Sequence, residues 1–143
     1  MSPSNEELLR AAARRLNGAR LLVVFTGAGV SRESGISTFR EPETGLWARY
    51  DPVQLATREG YLSDPPLVWE WYEHRFGIVE AAAPNPGHEA IAELETLLPN
   101  VVVVTQNIDS LHQRAGSSDV IELHGSIQRF KCMSERHRGY RRE

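Results

Sequence analysis

A short apolar run that leads straight into a glycine turn constrains the fold of this chain more than any other feature. Residues Leu21 to Phe25 are all apolar, and the string Thr26-Gly-Ala-Gly29 follows without a break. Such a run predicts a buried strand, and Ser31 can serve as the N-cap of a short helical turn behind it. Glycines allow a ligand close to the backbone, and the free N–H groups of a helix start favour phosphate. The stretch indicates a nucleotide site, but an ordinary strand-to-helix turn fits equally well, because Arg32 replaces the third glycine of G-x-G-x-x-G.

Two further apolar runs predict strands that alternate with helices. The runs are Val101–Val104 and Val120–Leu123, and both contain β-branched residues. Caps, proline positions and apolar spacing predict helices over residues 5–17, with Asn5 as the cap, and over 67–83, 88–98 and 110–115. Apolar strands between helices are typical of an α/β fold with a parallel sheet.

Polar residues follow the second and third predicted strands. The string Thr105-Gln-Asn-Ile-Asp109 comes directly after the second strand, and His124 follows the third. The carboxyl ends of parallel strands meet at one edge of a sheet, where such folds bind ligands. These residues and the glycine turn therefore predict one shared site. The alternatives are that Asn107 and Asp109 only cap the next helix and that His124 is structural.

Two segments rich in aromatic residues lie between the glycine turn and the second predicted strand. The predicted loop 41–56 carries Trp47 and Tyr50, which either cover a cofactor or pin the loop to the surface. In the predicted helix 67–83, Tyr72 and Arg75 lie one turn apart on the same face. An aromatic stripe usually packs in the core, but a hydroxyl and a guanidinium at this spacing can also grip a carboxylate.

Composition narrows the class of protein. At 143 residues the chain has the length of one domain, and its net charge of −3 gives no case for nucleic-acid binding. Cys132 is the only cysteine, so we expect no internal disulfide and a cytoplasmic location. No apolar stretch approaches the length of a membrane span, and the N-terminus lacks the pattern of a signal peptide. We therefore expect neither nucleic acid nor membrane among its partners.

Three blocks agree in order and spacing with one known family. They are Gly27-Ala-Gly-Val-Ser-x-x-Ser-Gly-Ile-x-x-Phe-Arg40, Thr105-Gln-Asn-Ile-Asp109 and Leu123-His-Gly125. Together they resemble the sirtuins, the NAD-dependent protein lysine deacylases, over nearly all of residues 15–133. The resemblance implies a Rossmann-like parallel sheet with helices on both faces, here incomplete with about three strands.

The same resemblance implies roles for individual residues. His124 would be the general base, Asn107 a second catalytic residue, and Phe39 a shield that keeps water from the reactive ribosyl centre. The residues implied to bind the cofactor NAD are Gly27, Ala28, Gly29, Ser31, Phe39, Arg40, Trp47, Gln106, Asn107, Ile108 and Asp109. The implied reaction removes acetyl and other acyl groups from protein lysines and gives nicotinamide and O-acyl-ADP-ribose.

One further motif bears on the acyl group. The string Tyr72-Glu-His-Arg75 resembles the Tyr-x-x-Arg pair of the sirtuin branch that prefers malonyl, succinyl and glutaryl lysine. The resemblance implies that Tyr72 and Arg75 bind the free carboxylate of an acidic acyl chain.

The chain departs from the family pattern in several places. Ser37 stands where the family usually has proline. Sirtuins normally carry two Cys-x-x-Cys pairs after the His-Gly block, whereas Cys132 stands alone here, so zinc is expected for the family but we predict no metal site. The family's later segments, which hold the adenosine end of NAD, have no counterpart in this sequence.

These observations define two domain segments and two hypotheses of function. We predict a partial sirtuin domain over residues 1–130 and a poorly structured basic tail over 131–143, with the zinc module largely missing. One hypothesis is an NAD-dependent deacylase that prefers succinyl or malonyl lysine. The other is a catalytically weak half-domain that binds NAD or ADP-ribose, or that associates with itself through an open sheet edge.

Overall fold

The fold was obtained as a computed structural model, which describes residues 4–37, 52–131 and 140–141. The helices are α1 (Asn5–Leu16), a 3₁₀ helix (Ala28–Ser34), α2 (Pro52–Ala56), α3 (Arg58–Ser63), α4 (Pro65–Ala81), α5 (Pro86–Leu97) and α6 (Leu111–Ala115). The strands are β1 (Leu22–Thr26), β2 (Val101–Thr105), β3 (Val120–Glu122), β4 (Arg129–Phe130) and β5 (Tyr140–Arg141). No helix in the described part of the chain is both long enough and apolar enough to cross a bilayer.

Strands β1, β2 and β3 form a parallel sheet in the order β1-β2-β3. This arrangement confirms the predicted three-stranded Rossmann-like sheet. One face is well covered, since Val103 at its centre is fully buried. On the opposite face Val23, Phe25 and Ile121 are 52%, 62% and 49% exposed. The described helices therefore leave much of this second face open, and the expected coverage of both faces is incomplete.

Two helix starts differ from the sequence expectation for local reasons. Helix α1 is capped by Ser4, whose backbone N–H donates to the Glu7 carboxylate at 2.8 Å while its hydroxyl accepts from the Glu7 N–H at 3.3 Å. Asn5 has Leu8 three residues on, which cannot complete such a capping box. At the glycine turn the N-cap is Gly27, and Ser31 lies inside the 3₁₀ helix. The predicted cap at Ser31 is therefore wrong.

Helix α4 carries the Tyr72–Arg75 pair and is fixed at both ends. Asp64 accepts from the N–H of Leu67 at 3.2 Å, so the helix begins at Pro65, two residues before the predicted start. At the other end the Arg114 guanidinium donates to the carbonyl oxygens of Val79 and Ala82 at 3.1 and 2.5 Å. Two apolar clusters bury the inner face, one containing Ile36, Val79, Ala82, Leu111 and Ile127 and the other Leu55, Val68 and Trp71.

Among the described residues of the predicted tail 131–143, Tyr140–Arg141 form strand β5. Strand β5 pairs antiparallel with β4, with Arg129 opposite Arg141 and Phe130 opposite Tyr140. The expectation of a poorly structured tail over residues 131–143 stays a prediction. Positions 132–139 and 142–143, which include Cys132, lie outside the described residues.

Candidate functional site

A cavity of about 590 Å³ opens at the carboxyl ends of β1, β2 and β3. It brings together most of the residues that the sequence proposed for the site. Those that line it are Ala28, Ser31, Tyr72, Arg75, Gln106, Asn107, Ile108, Asp109 and His124. Residues separated by up to about a hundred positions in the chain therefore share one surface, as the parallel sheet predicts.

A compact set of hydrogen bonds joins the glycine turn to the loop after β2. The hydroxyl of Ser31 is buried and donates to Oδ2 of Asp109 at 2.7 Å. The side-chain amide of Asn107 donates from Nδ2 to the Ser31 hydroxyl at 3.0 Å and to the Gly27 carbonyl at 3.2 Å. Since both Nδ2 protons have protein acceptors, Oδ1 of Asn107 is the atom left for a ligand donor.

Asp109 combines the two roles that the sequence left open. Its Oδ1 accepts from the backbone N–H of Leu111 at 2.9 Å, at the start of α6. Its Oδ2 accepts from Ser31, and the residue is only 4% exposed. The carboxylate therefore caps the next helix and also holds the glycine turn. Both oxygens are engaged with the protein, so Asp109 shapes the cavity wall chiefly by fixing its neighbours.

His124 lies on the turn that follows β3, beside Gly125, whose φ of 80° suits glycine. The imidazole is exposed and lines both the main cavity and an adjacent one of about 350 Å³. Within the described residues no group hydrogen-bonds to its ring. A histidine placed in this way can exchange protons with a ligand or with water.

Tyr72 and Arg75 face the same cavity from α4. The Arg75 guanidinium lies 4.8 Å from the centroid of the Trp71 ring, and the Tyr72 ring meets Trp71 edge-on at 4.8 Å. Burial raises the pKa of the Tyr72 hydroxyl, and the positive charge of Arg75 opposes this effect. Tyr72 therefore stays a neutral hydrogen-bond donor beside a guanidinium, a combination that suits a carboxylate.

The remaining predicted residues fall into two groups. Gly27 contributes its carbonyl to Asn107, whereas Gly29 is exposed and is not among the residues that line the cavity. Phe39, Arg40 and Trp47 lie outside the described residues.

Sequence reasoning also missed several members of the cavity wall. They are Ile36, Ser37, Ala56, Trp71, Val79 and Ile127. Apart from Ser37, their main signal is apolar character, which does not separate a cavity wall from ordinary core.

No group of three or more His, Cys, Asp or Glu side chains in residues 4–37 and 52–131 is placed to hold a metal ion. Cys132 is the only cysteine of the chain and lies outside these ranges. The described residues do not fit a structural zinc site.

Comparison with known proteins places this site in a family. The Sir2 family model matches residues 27–142. NAD-dependent protein deacylase 1 of Pseudomonas aeruginosa is 56% identical over 124 residues, which are 87% of this chain and 50% of that protein. NAD-dependent protein deacylase 2 of Pyrobaculum aerophilum is 57% identical over 118 residues, which are 82% of this chain and 47% of that protein.

A solved structure agrees with these sequence matches. A Sir2 homologue crystallised as a complex with NAD superimposes with a TM-score of 0.82 at 44% identity, over 98% of this chain and 52% of that one. The chain thus spans about half the length of the relatives it matches. The matched region contains the glycine turn, the polar loop after β2 and His124, and the chain belongs to the Sir2 family.

Proposed function

We propose that this chain carries the nicotinamide-ribose half of an NAD-dependent protein lysine deacylase. The observation that supports this most directly is the convergence of Ser31, Asn107 and His124 on one cavity at the carboxyl ends of the sheet. Relatives named NAD-dependent protein deacylases share more than half of their matched residues with the chain. The cavity volume of about 590 Å³ is within the usual range for small-molecule and cofactor sites.

The residues of the cavity fit an NAD ribose and its carboxamide. When bound, NAD supplies the ribosyl carbon that takes the acyl oxygen as nicotinamide leaves. Oδ1 of Asn107 accepts a hydrogen bond from a ribose hydroxyl, a water molecule or the carboxamide, because its Nδ2 is held by Ser31 and Gly27. His124 accepts the proton of a ribose hydroxyl as general base. Apolar Ile36, Ile108 and Ile127 limit the access of water to this end of the cavity.

The acyl group in this proposal is acidic. Tyr72 and Arg75 line the same cavity as His124, so a succinyl or malonyl chain directed away from the ribose would meet a neutral hydroxyl donor and a guanidinium. The guanidinium is steadied by the face of Trp71 at 4.8 Å. The protein partner is therefore an acylated lysine side chain with a terminal carboxylate. We also propose the cytoplasmic location that is expected from the composition.

The direct test of the proposed reaction is nicotinamide release. The chain is mixed with NAD and a succinyl-lysine peptide, and free nicotinamide is measured over time. We expect release from the unaltered chain, loss of release with His124→Ala, and no loss with His74→Ala, an exposed histidine that does not line the cavity. Release no faster than in a peptide-free control would refute turnover by this chain.

A second candidate is favoured by the open face of the sheet. Val23 and Phe25 on the edge strand β1 are 52% and 62% exposed, and apolar area of this kind is uncommon on a monomer. In this candidate the chain binds NAD or ADP-ribose without turnover and associates with a second copy through the β1 side of the sheet.

A further inference from the structure

Two buried histidines lie beside the site and have no part in the function proposed above. His88 in α5 is fully buried and His112 in α6 is 1% exposed. Their ring centroids are 4.8 Å apart, with the ring planes at 60°. Neither residue lines the cavity. Buried ring nitrogens are usually hydrogen-bonded, so the contacts of each imidazole indicate which of its nitrogens carries the proton.

The proton of each ring can be assigned from its contacts. Nδ1 of His88 accepts from the backbone N–H of Asn85 at 3.3 Å, so a neutral His88 carries its proton on Nε2. Nε2 of His112 lies 2.9 Å from Oγ1 of Thr26. The Thr26 hydroxyl donates its own proton to Oγ1 of Thr105 at 2.9 Å. Thr26 must therefore accept from His112, which places the His112 proton on Nε2 as well.

The two nitrogens that remain are complementary. Within the described residues, Nε2 of His88 and Nδ1 of His112 are buried and have no hydrogen-bond partner. By the assignment above the first is a donor and the second an acceptor, on adjacent rings. Burial lowers the pKa of both imidazoles, His88 lowers that of His112 further, and the Asp109 charge opposes both effects. A neutral His88 keeps Nδ1 as the acceptor for the Asn85 N–H, whereas a second ring proton would remove that acceptor.

The chain of hydrogen bonds ends at the site. Oγ1 of Thr105 accepts from the backbone N–H of Asn107 at 3.0 Å, in addition to the proton from Thr26. The hydrogen bonds from His112 thus run in one direction, to the Thr26 hydroxyl and on to that of Thr105. We propose that His112 is a positioning residue for Asn107 and acts through the hydroxyls of Thr26 and Thr105.

The direction in which each hydroxyl donates explains how His112 acts on Asn107. A donor at Nε2 of His112 occupies a lone pair of Thr26 and turns the Thr26 proton toward Thr105. Thr105 is thereby kept as the acceptor that fixes the backbone of Asn107. With that backbone fixed, Nδ2 reaches Ser31 and Gly27, and Oδ1 stays available to the ligand. The ligand part of this inference rests on the proposed NAD site, whereas the hydrogen-bond chain does not.

Two matched pairs of variants test the role of the chain. His112→Gln keeps a side-chain N–H donor and His112→Met fills similar volume without one. Thr26→Ser keeps the hydroxyl and Thr26→Val keeps the shape without it. We expect Met and Val to speed hydrogen exchange at the Asn107 amide and to weaken ADP-ribose binding, each about threefold to tenfold, while Gln and Ser change both less than about twofold. A packing role predicts the reverse order, since Met and Val retain more apolar volume.

Ring-nitrogen NMR of the unaltered chain gives an independent readout if a variant does not fold. Protonated Nε2 on both His88 and His112 near neutral pH supports the proposal, and a proton on Nδ1 of His112 overturns it. Equal exchange rates at the Asn107 amide in Thr26→Ser and Thr26→Val also overturn it. If the unaltered chain fails to bind ADP-ribose, the proposed function fails, and the amide exchange and ring-nitrogen results still decide this inference.

Discussion

The hydroxyl of Ser31 donates a 2.7 Å hydrogen bond to the buried carboxylate of Asp109 and so ties the loop after β1 to the loop after β2. The two residues are 78 positions apart in the chain. Because Asp109 also receives the N–H of Leu111, this one carboxylate sets the relative position of the glycine turn and α6. The cavity at the ends of the strands depends on that position.

Removal of the Ser31 hydroxyl is expected to destabilise the fold. Ser31→Ala leaves a buried carboxylate oxygen and one Nδ2 proton of Asn107 without their partner, which costs about 1.5–3 kcal/mol in free energy of unfolding. Urea denaturation measures this loss. Ser118→Ala is the matched control, because the Ser118 hydroxyl also donates to a carboxylate, that of Glu95, but at the exposed surface. We expect the control to lose less than about 1 kcal/mol, and similar losses in both variants would contradict the assigned role of Ser31.

Arg75→Met is expected to discriminate between acyl groups. Loss of the guanidinium removes a charged partner for a terminal carboxylate and leaves the apolar part of the cavity intact. Affinity for a succinyl-lysine peptide should fall about tenfold or more, with little change for an acetyl-lysine peptide. Calorimetric titration with both peptides measures the ratio. Arg15→Met, at an exposed arginine of α1, should leave the ratio unchanged, and equal losses on both peptides with Arg75→Met would argue against an acidic acyl group.

Stability should decrease as the pH falls below the ordinary pKa of histidine. Burial holds the pKa of His88 and His112 below about 6.5, so the unfolded chain binds more protons than the native state at acidic pH. This term is absent well above pH 6.5 and grows below it by up to about 1.4 kcal/mol per pH unit for each ring, until the native rings also protonate. Urea midpoints at several pH values measure the slope. A His88→Gln variant should flatten the slope, and an unchanged slope would show that the buried pair does not titrate in this way.

The end of α4 should depend on Arg114. Its guanidinium donates to the carbonyls of Val79 and Ala82, which lie in the last turn of α4 and just beyond it. Arg114→Met should lower the free energy of unfolding by about 1–3 kcal/mol. Arg10→Met is a suitable comparison, since Arg10 pairs with Glu6 at the exposed surface and its loss should cost no more than about 0.5 kcal/mol. Thermal denaturation of both variants ranks them, and an equal shift in Tm would count against the role of Arg114 in fixing the helix.

Self-association through the β1 side of the sheet has a simple test. In the half-domain candidate, light scattering finds a dimer, and Phe25→Glu shifts it toward monomer because a charge would enter an apolar contact. Leu97→Glu is the control, since Leu97 in α5 is also well exposed, at 68%. A monomer at all concentrations, or the same shift with both variants, would remove the support for this candidate.

Much of the architecture could be predicted from local patterns. Leu21 to Phe25 and Val101 to Val104 were expected as strands because short apolar runs between helical segments have few other solutions. The first strand is shifted by one residue, and the second extends one residue beyond its predicted end. The polar string that ends at Asp109 and the histidine at 124 were expected at one sheet edge because parallel strands share their carboxyl ends. The family resemblance named the site residues, and nine of them meet in the cavity.

Contacts between distant parts of the chain could not be predicted in this way. Serine is a residue type typical of helix caps, yet the Ser31 hydroxyl donates to Asp109. No local pattern encodes a partner 78 residues away. The sequence predicts only that His112 lies in a short helix. The packing of α5 on α6 places it against His88.

The sequence by itself thus determined the order of the three parallel strands and of helices α1, α4, α5 and α6, and the types of chemical group at the ends of the strands. The spacing of apolar residues and the residue types at turns act over a few residues, so their effect does not depend on tertiary contacts. Only the tertiary structure decided which of those groups are engaged with the protein and which remain for a ligand. Hydrogen bonds such as Ser31–Asp109 and Thr26–Thr105 form once the sheet has brought distant segments of the chain together.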